Sequence, residues 1–206
     1  MKHLVLCCAL LLAFSASAQI PGPSVAFGVH GNLTNTNLVG DFKEIYGLGY
    51  GGGVHFDLKL GVLSLRLSGD YISLSPDKTK YQAFLARYFG SAASGITIEG
   101  ARIDVFSGNL NAKVGLVPLP VVTIYATGGA GLVNLGVADA KVVINGTTAA
   151  QVPGIDKQTK PSINAGAGLD IHLGGLTLYG EVKVNWIMTE GETSTQVPLA
   201  TVGLTF

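Results

Sequence analysis

The histidines have the widest chemical range of any residues in this chain. His30, His55 and His172 follow the leader described below, and a neutral imidazole can act as a general base or ligate a metal. The spacing of serines and acids around His30 does not single out a catalytic triad. Cys7 and Cys8 both lie in the leader, which excludes a cysteine nucleophile, a disulfide or a cysteine metal site after its removal. We therefore predict no enzyme activity, no metal and no cofactor.

The composition excludes two broad classes of protein. Hydrophobic residues make up 48% of the 206 residues and charged residues only 13%, whereas a disordered chain needs the opposite balance. Lys plus Arg and Asp plus Glu number 13 each, so no basic face for nucleic acid is implied. The length suits one domain with a real core or one closed barrel.

The first 18 residues have the features of a signal peptide. Lys2 and His3 are followed by an apolar run from Leu4 to Phe14, and Ala16 to Ala18 supply the small residues of a cleavage site. We predict export, a signal peptide over residues 1–18 and a single barrel domain over residues 19–206. Beyond Ala18, no apolar run approaches the roughly 18 residues of a spanning helix.

Apolar and polar residues alternate along most of the chain, at the period of a β-strand. Leu63, Leu65 and Leu67, for example, alternate with Ser64 and Arg66. An even number of such segments suits a closed antiparallel barrel with both termini at one end. The phase of the fourth segment changes between Phe106 and Asn109, which predicts a bulge or a bend there. The eight predicted strands lie near residues 24–34, 47–60, 62–75, 97–115, 121–136, 161–173, 176–189 and 196–206.

The connections between these segments alternate between short and long. Short joins fall at Gly61, at Leu116 to Pro120 and at Gly174 to Gly175, while the long ones are residues 35–46, 76–96, 137–160 and 190–195. This segregation is typical of outer-membrane barrels, whose short turns are periplasmic. Aromatic girdles are also expected at lipid interfaces, with Tyr46, Tyr50, Tyr71 and Trp186 towards the long loops and Phe206 at the opposite rim.

Two orientations of the barrel wall are consistent with the alternation. A soluble barrel turns its apolar face inward, whereas a membrane barrel turns that face to lipid and encloses the polar one. Acids and bases are nearly equal in number on the polar face, which favours ion pairs across a narrow lumen. We therefore predict a polar network in the lumen. Its members are His55, Asp57, Lys59, Arg66, Asp70, Arg102, Asp104, Lys113, Asp170, His172, Glu181 and Lys183.

The second long loop contains a helical stripe. Tyr81, Phe84, Leu85, Tyr88 and Phe89 recur at i, i+3, i+4, i+7 and i+8, which predicts a short helix. One interpretation places it on the outer leaflet or against a partner, with nearby cations facing lipopolysaccharide phosphates. The other folds it over the barrel mouth, where it buries its own aromatic side chains. The nearby cations are Lys78, Lys80 and Arg87.

The leader, the eight segments, the loop asymmetry and the final strand together resemble the small outer-membrane barrels of the outer membrane protein A transmembrane-domain type. Val202, Leu204 and the terminal Phe206 resemble the signal that the barrel-assembly machinery recognises in that family. The resemblance implies an eight-stranded antiparallel up-and-down barrel in a bacterial outer membrane, in contact with lipid and lipopolysaccharide. It also implies a monomer, and the loops could bind a surface partner.

Several roles remain open at this point. A non-enzymatic barrel could serve envelope structure, surface interaction or a narrow channel, although eight strands leave little more than a filled interior. One alternative is a soluble exported barrel of lipocalin type that binds a small ligand. The other is an outer-membrane lipid-modifying hydrolase, since some barrels of this size modify lipid A with a histidine and a serine near the outer rim.

Overall fold

The computed structural model describes residues 22–35, 45–90, 95–119, 121–188 and 195–206. The predicted signal peptide lies outside this range. Eight long antiparallel strands close into a barrel, and the first strand pairs with the last. The barrel strands are β1 (Ser24–Asn35), β2 (Leu48–Leu60), β3 (Leu63–Leu74), β5 (Ile103–Pro118), β6 (Val122–Val137), β9 (Ile155–Leu173), β10 (Leu176–Ile187) and β11 (Thr195–Thr205).

The remaining elements form a separate unit beyond the long-loop end of the barrel. A three-stranded sheet is ordered β4 (Ile96–Gly100), β7 (Ala140–Ile144) and β8 (Thr147–Val152), and helix α1 (Lys78–Phe89) packs against β4. We call this unit the cap. No described helix is long and apolar enough to cross a membrane.

Two details of the predicted fourth strand are wrong. The segment 97–115 is split, because Ala101 takes a left-handed backbone conformation with φ 51° that ends β4 in the cap before β5 begins in the barrel. The register of β5 also runs unbroken through Phe106 and Asn109, and the irregularity lies instead between Gly115 and Val117. The phase change in the sequence arises because Ile103 and Val105 face inward at the top of the lumen, where the interior is apolar.

The two faces of the wall have opposite chemistry. On β10, Glu181 and Lys183 are buried, whereas Val182 between them is 64% exposed. The barrel strands run 11 to 19 residues, long enough for a tilted strand to cross a bilayer, which takes about 9 to 11 residues. Exposed valine and leucine side chains of this kind cover the outside, an arrangement that would be favourable in lipid rather than in water.

The aromatic residues occupy two levels on the outside. Tyr50 and the pair Tyr71 and Phe106, whose rings are tilted by 43° with centroids 4.7 Å apart, lie towards the long-loop end, and Phe206 lies at the opposite rim. Tyr46 does not join them. It is only 4% exposed and lies over the lumen, so its predicted place in the girdle is wrong.

Candidate functional site: the lumen and the cap

The half of the lumen nearer the short turns is filled by ion pairs. Arg66 donates two hydrogen bonds to the carboxylate of Asp57, from Nε at 2.7 Å and Nη2 at 2.8 Å. Its Nη1 atom lies 3.9 Å from Oε2 of Glu181, and Nζ of Lys183 lies 3.7 Å from the other oxygen of that carboxylate. All four side chains are buried, and charge-assisted pairs of this geometry are the strongest kind of hydrogen bond.

A second ion pair lies beside the first. Nζ of Lys113 donates to the Asp170 carboxylate at 2.8 Å and sits 3.7 Å from the centroid of the Tyr125 ring. The Tyr125 hydroxyl donates to Glu181 at 3.1 Å, which links the two pairs into one network. The network crosses from β3 to β5, β6, β9 and β10, so it ties distant strands together through the interior.

A histidine cluster lies among these groups. His30 Nε2 is 2.6 Å from an oxygen of Asp70, and its ring stacks on that of His55 with centroids 5.6 Å apart. Asn32 donates to the same Asp70 oxygen at 2.8 Å. Tyr179 meets the His55 ring edge-on at 5.3 Å. Each imidazole therefore has polar and aromatic partners, as a buried polar group requires.

Glycines facing the lumen make room for these rings. A Cβ on Gly168 would lie 2.5 Å from Cζ of Tyr125, and one on Gly203 would lie 2.6 Å from Cε1 of Tyr179. An eight-stranded barrel is just wide enough for side chains to fill, so each large ring needs a small residue opposite. Part of the high glycine content is thereby explained.

We expect Gly168→Val to destabilise the barrel by about 1–3 kcal/mol, because the added side chain overlaps the Tyr125 ring. Gly180→Val is the matched control, since a Cβ there meets nothing within 4 Å, and it should change the stability by no more than about 0.5 kcal/mol. Urea unfolding in lipid vesicles measures both. Equal losses for the two variants would contradict this packing of the lumen.

The middle of the lumen also contains polar atoms without a protein partner among the described residues. They belong to Asn111, Ser162, Asn164 and Asn185, all of which are buried. In the strand register, Asn164 lies opposite Asn185 on one side and opposite Gly129 on the other. Gly129 in turn lies opposite Asn111, so the three asparagines are at the same level of the sheet. Buried polar groups of this kind are usually satisfied by internal water.

The two ends of the lumen differ. The long-loop end is covered by an apolar layer of Tyr46, Ile72, Leu74 and Leu199, and the Tyr46 hydroxyl donates to the backbone oxygen of Ala101 at 2.7 Å. The short-turn end opens as a polar vestibule of about 190 Å³. His172 and Lys59 line it, and each ring nitrogen of His172 is within 3.2 Å of a threonine hydroxyl.

Ten of the twelve side chains predicted for the lumen do face it. Two do not. Arg102 precedes β5 and pairs with Asp104 on the outer rim, with a salt bridge of 3.0 Å, and the Tyr71 hydroxyl donates to Asp104 at 2.7 Å. Their prediction as lumen residues is wrong because the inward positions of β5 start with the apolar Ile103 and Val105. The ten are His55, Asp57, Lys59, Arg66, Asp70, Lys113, Asp170, His172, Glu181 and Lys183.

Several lumen residues fall outside the predicted network. His30 and Asn32 lie on the polar face of β1, where they alternate with Val29 and Leu33. That alternation was the feature of the sequence from which the inward position of His30 and Asn32 could be predicted. Further members of this group include Asn109, Asn111, Tyr125, Ser162, Asn164, Tyr179 and Asn185, together with Thr34, Ser68, Thr127, Thr201 and Thr205.

The helix predicted in the second long loop is present as α1. Asp77 caps its N-terminus by accepting from the backbone N–H groups of Thr79 at 2.9 Å and Lys80 at 3.1 Å. Tyr81 and Leu85 are buried, whereas Tyr88 is 65% exposed. The Phe89 side chain lies outside the described ones. Tyr81 and Leu85 pack against Ile45, Phe84, Ile96 and Ile98.

This packing shows what part of the helical stripe contacts. Tyr81 and Leu85 face strand β4 within the cap, so these two side chains are not available to the outer leaflet, whereas Tyr88 remains exposed. Burial raises the pKa of the Tyr81 hydroxyl, which stays neutral. At the rim, the hydrogen bond to Asp104 raises the pKa of Arg102, which keeps its charge.

The sequence matches a known family along nearly its whole length. Residues 6–206 match the family described as outer membrane protein beta-barrel domain. The chain belongs to this family. It is therefore an outer-membrane β-barrel, with its short turns in the periplasm and its long loops outside the cell. Among the curated proteins, none matches the sequence.

Solved structures share the fold at low sequence identity. The structure is similar to Neisserial surface protein A, with a TM-score of 0.53 at 12% identity, covering 89% of this chain and 97% of that one. It is also similar to a major outer membrane protein from Thermus thermophilus, with a TM-score of 0.51 at 12% identity, covering 89% of this chain and 98% of that one. In this chain the apolar side chains of the wall, such as Leu67 and Val182, are exposed and the charged ones are buried, which excludes the lipocalin-type arrangement with its apolar face inside.

Proposed function

We propose that this protein is a non-enzymatic surface protein whose closed barrel anchors the cap in the outer membrane. The observation that carries the proposal is the filled lumen. Ion pairs and aromatic rings fill it towards the short turns, and the apolar layer around Tyr46 and Leu74 covers it at the long-loop end. Such a barrel can hold the cap in the membrane, but it does not provide a route for solutes across the membrane. The cap is then the part that contacts other molecules.

The proposal extends to partners and processing. The signal peptide is removed during export, and the outward face of the last strand, Val202, Leu204 and Phe206, is recognised by the barrel-assembly machinery. Val202 is 64% and Phe206 61% exposed, which supports a role as a recognition surface. Lipid and lipopolysaccharide surround a monomeric barrel.

We expect the purified barrel to conduct no ions in a planar lipid bilayer, because the apolar layer and the ion pairs leave no continuous aqueous path. A triple variant that opens both barriers, Tyr46→Ala, Leu74→Ala and Arg66→Ala, serves as the positive control if its mobility on a gel still shifts on boiling. Steady conductance of the unmodified barrel would overturn the closed-lumen proposal.

The hydrolase alternative rests on His30 and is tested separately. Its imidazole pairs with Asp70, and the two side chains are only 4% and 2% exposed inside the lumen, which keeps lipid away from them. We expect the lipid A of cells that express the protein to be unchanged, with or without His30→Ala. A modification that requires His30 would replace the proposed role with an enzymatic one.

A further inference from the structure

A pocket of about 420 Å³ lies in the cap, between α1 and β4. This volume falls within the range of about 300–1,000 Å³ that small-molecule sites occupy. The pocket is on the extracellular side and is distinct from the lumen. The polar and aromatic side chains that line it include Lys78, Tyr81, Gln82, Thr97, Glu99 and Arg102.

The side chains that line the pocket include two cations and one carboxylate, and a further carboxylate, that of Asp104, forms an ion pair with one of the cations. Lys78 and Arg102 supply two cations, and Glu99 supplies one carboxylate. Arg102 binds Asp104 through Nε and Nη2, while its Nη1 atom has no hydrogen-bond partner among the described residues. The side chain of Arg102 is 53% exposed. A guanidinium with a free N–H edge is well suited to a carboxylate of a ligand.

The neutral groups of the pocket offer both donors and acceptors. The Gln82 side chain is held in place by its bond to the backbone oxygen of Ile96 at 2.6 Å, which leaves its own amide oxygen to accept. Thr97 contributes a hydroxyl, and Tyr81 and Ile98 contribute apolar surface. A sugar ring has the matching chemistry, since its hydroxyls donate and accept while its C–H faces pack on apolar groups.

We propose that this pocket binds an acidic sugar unit of a surface glycan. The proposal rests on the surface role assigned to the cap and names the ligand of that role. Lys78 and Arg102 bind the carboxylate of the sugar. Glu99, Gln82 and Thr97 bind its hydroxyls.

The test is calorimetric titration of the full barrel in detergent micelles with glucuronic acid, with glucose as the uncharged match. We expect glucuronic acid to bind and glucose to bind at least about tenfold more weakly. The double variant Lys78→Gln, Arg102→Gln should lose affinity by at least about tenfold, as expected for lost charge-assisted hydrogen bonds. Lys157→Gln is the matched control, because Lys157 lies outside the pocket near the Phe106 ring, and it should bind as the unmodified protein does.

Each variant is first checked for the gel mobility shift of a folded barrel. Absence of glucuronic acid binding, or an equal loss in Lys157→Gln, would overturn the proposal. The source of the sugar is resolved by competition. If the cell's own lipopolysaccharide displaces glucuronic acid, the glycan belongs to the same membrane. If only an added polyuronate displaces it, the glycan belongs to another surface.

The outcome is separable from that of the proposed function. A barrel that conducts ions but still binds glucuronic acid would retain this pocket and lose the closed-anchor role. If the barrel conducts no ions and does not bind glucuronic acid, the anchor role stands and the sugar proposal fails.

Discussion

Arg66→Met is expected to destabilise the barrel by about 3–5 kcal/mol, because breaking a buried ion pair by removing one partner leaves an uncompensated charge. The substitution keeps a long apolar side chain but leaves the carboxylates of Asp57 and Glu181 buried without the cation that faces them. The free energy of unfolding, measured by urea titration in lipid vesicles, should fall accordingly.

Two control variants separate charge from packing. The double variant Asp57→Asn, Arg66→Met removes one of the stranded charges, so it should recover a substantial part of the lost stability. Arg102→Met removes an arginine whose side chain is 53% exposed at the rim, where solvent screens its ion pair, and it should be far less harmful. If Arg66→Met were no more harmful than Arg102→Met, the ion network would not hold the lumen together.

Val182→Arg is expected to cost about 2–4 kcal/mol, as a cation does on the lipid face near the middle of a membrane barrel. Val182 is 64% exposed near the centre of β10, between the buried Glu181 and Lys183. Hydrocarbon replaces water around this side chain, so the guanidinium loses its solvation.

The matched control for this prediction is Val152→Arg. Val152 is 50% exposed on β8 of the cap, outside the bilayer, so the same substitution there meets water. We expect a change within about 0.5 kcal/mol in the same unfolding experiment. Similar costs at both positions would mean that the two valines share one environment.

The barrel itself was predictable because alternation fixes which residues share a face. Leu63, Leu65 and Leu67 on one side and Arg66 on the other define a strand with a lipid face and a lumen face without any knowledge of its neighbours. Which side chains contact each other inside the lumen was harder to predict from the sequence. His30 and Asp70 are 40 residues apart, and the pairing of β1 with β2 and of β2 with β3 brings two of their side-chain atoms within 2.6 Å of each other.

The cap was predicted only in part. The spacing of Tyr81 and Leu85 was enough to predict α1, because a helix is a local structure. Strands β7 and β8 were included in the long loop 137–160, since β7 finds a pairing partner only in the distant strand β4, and β8 pairs only with β7. Arg102 and Asp104 were misplaced for a related reason. Polar residues alternate in the same way on an outer rim as in a lumen, and only the neighbouring apolar layer distinguishes the two.

The central claim is that the apolar face of the wall contacts lipid, and the single tryptophan reports on it directly. Trp186 lies on β10 two positions after the outward-facing Val184, towards the extracellular interface. In vesicles of lipids brominated on their acyl chains, we expect its fluorescence to be quenched, and more strongly by bromines near the headgroup than by those near the chain end. Absence of quenching by either lipid, together with full quenching by aqueous iodide, would contradict the outward orientation.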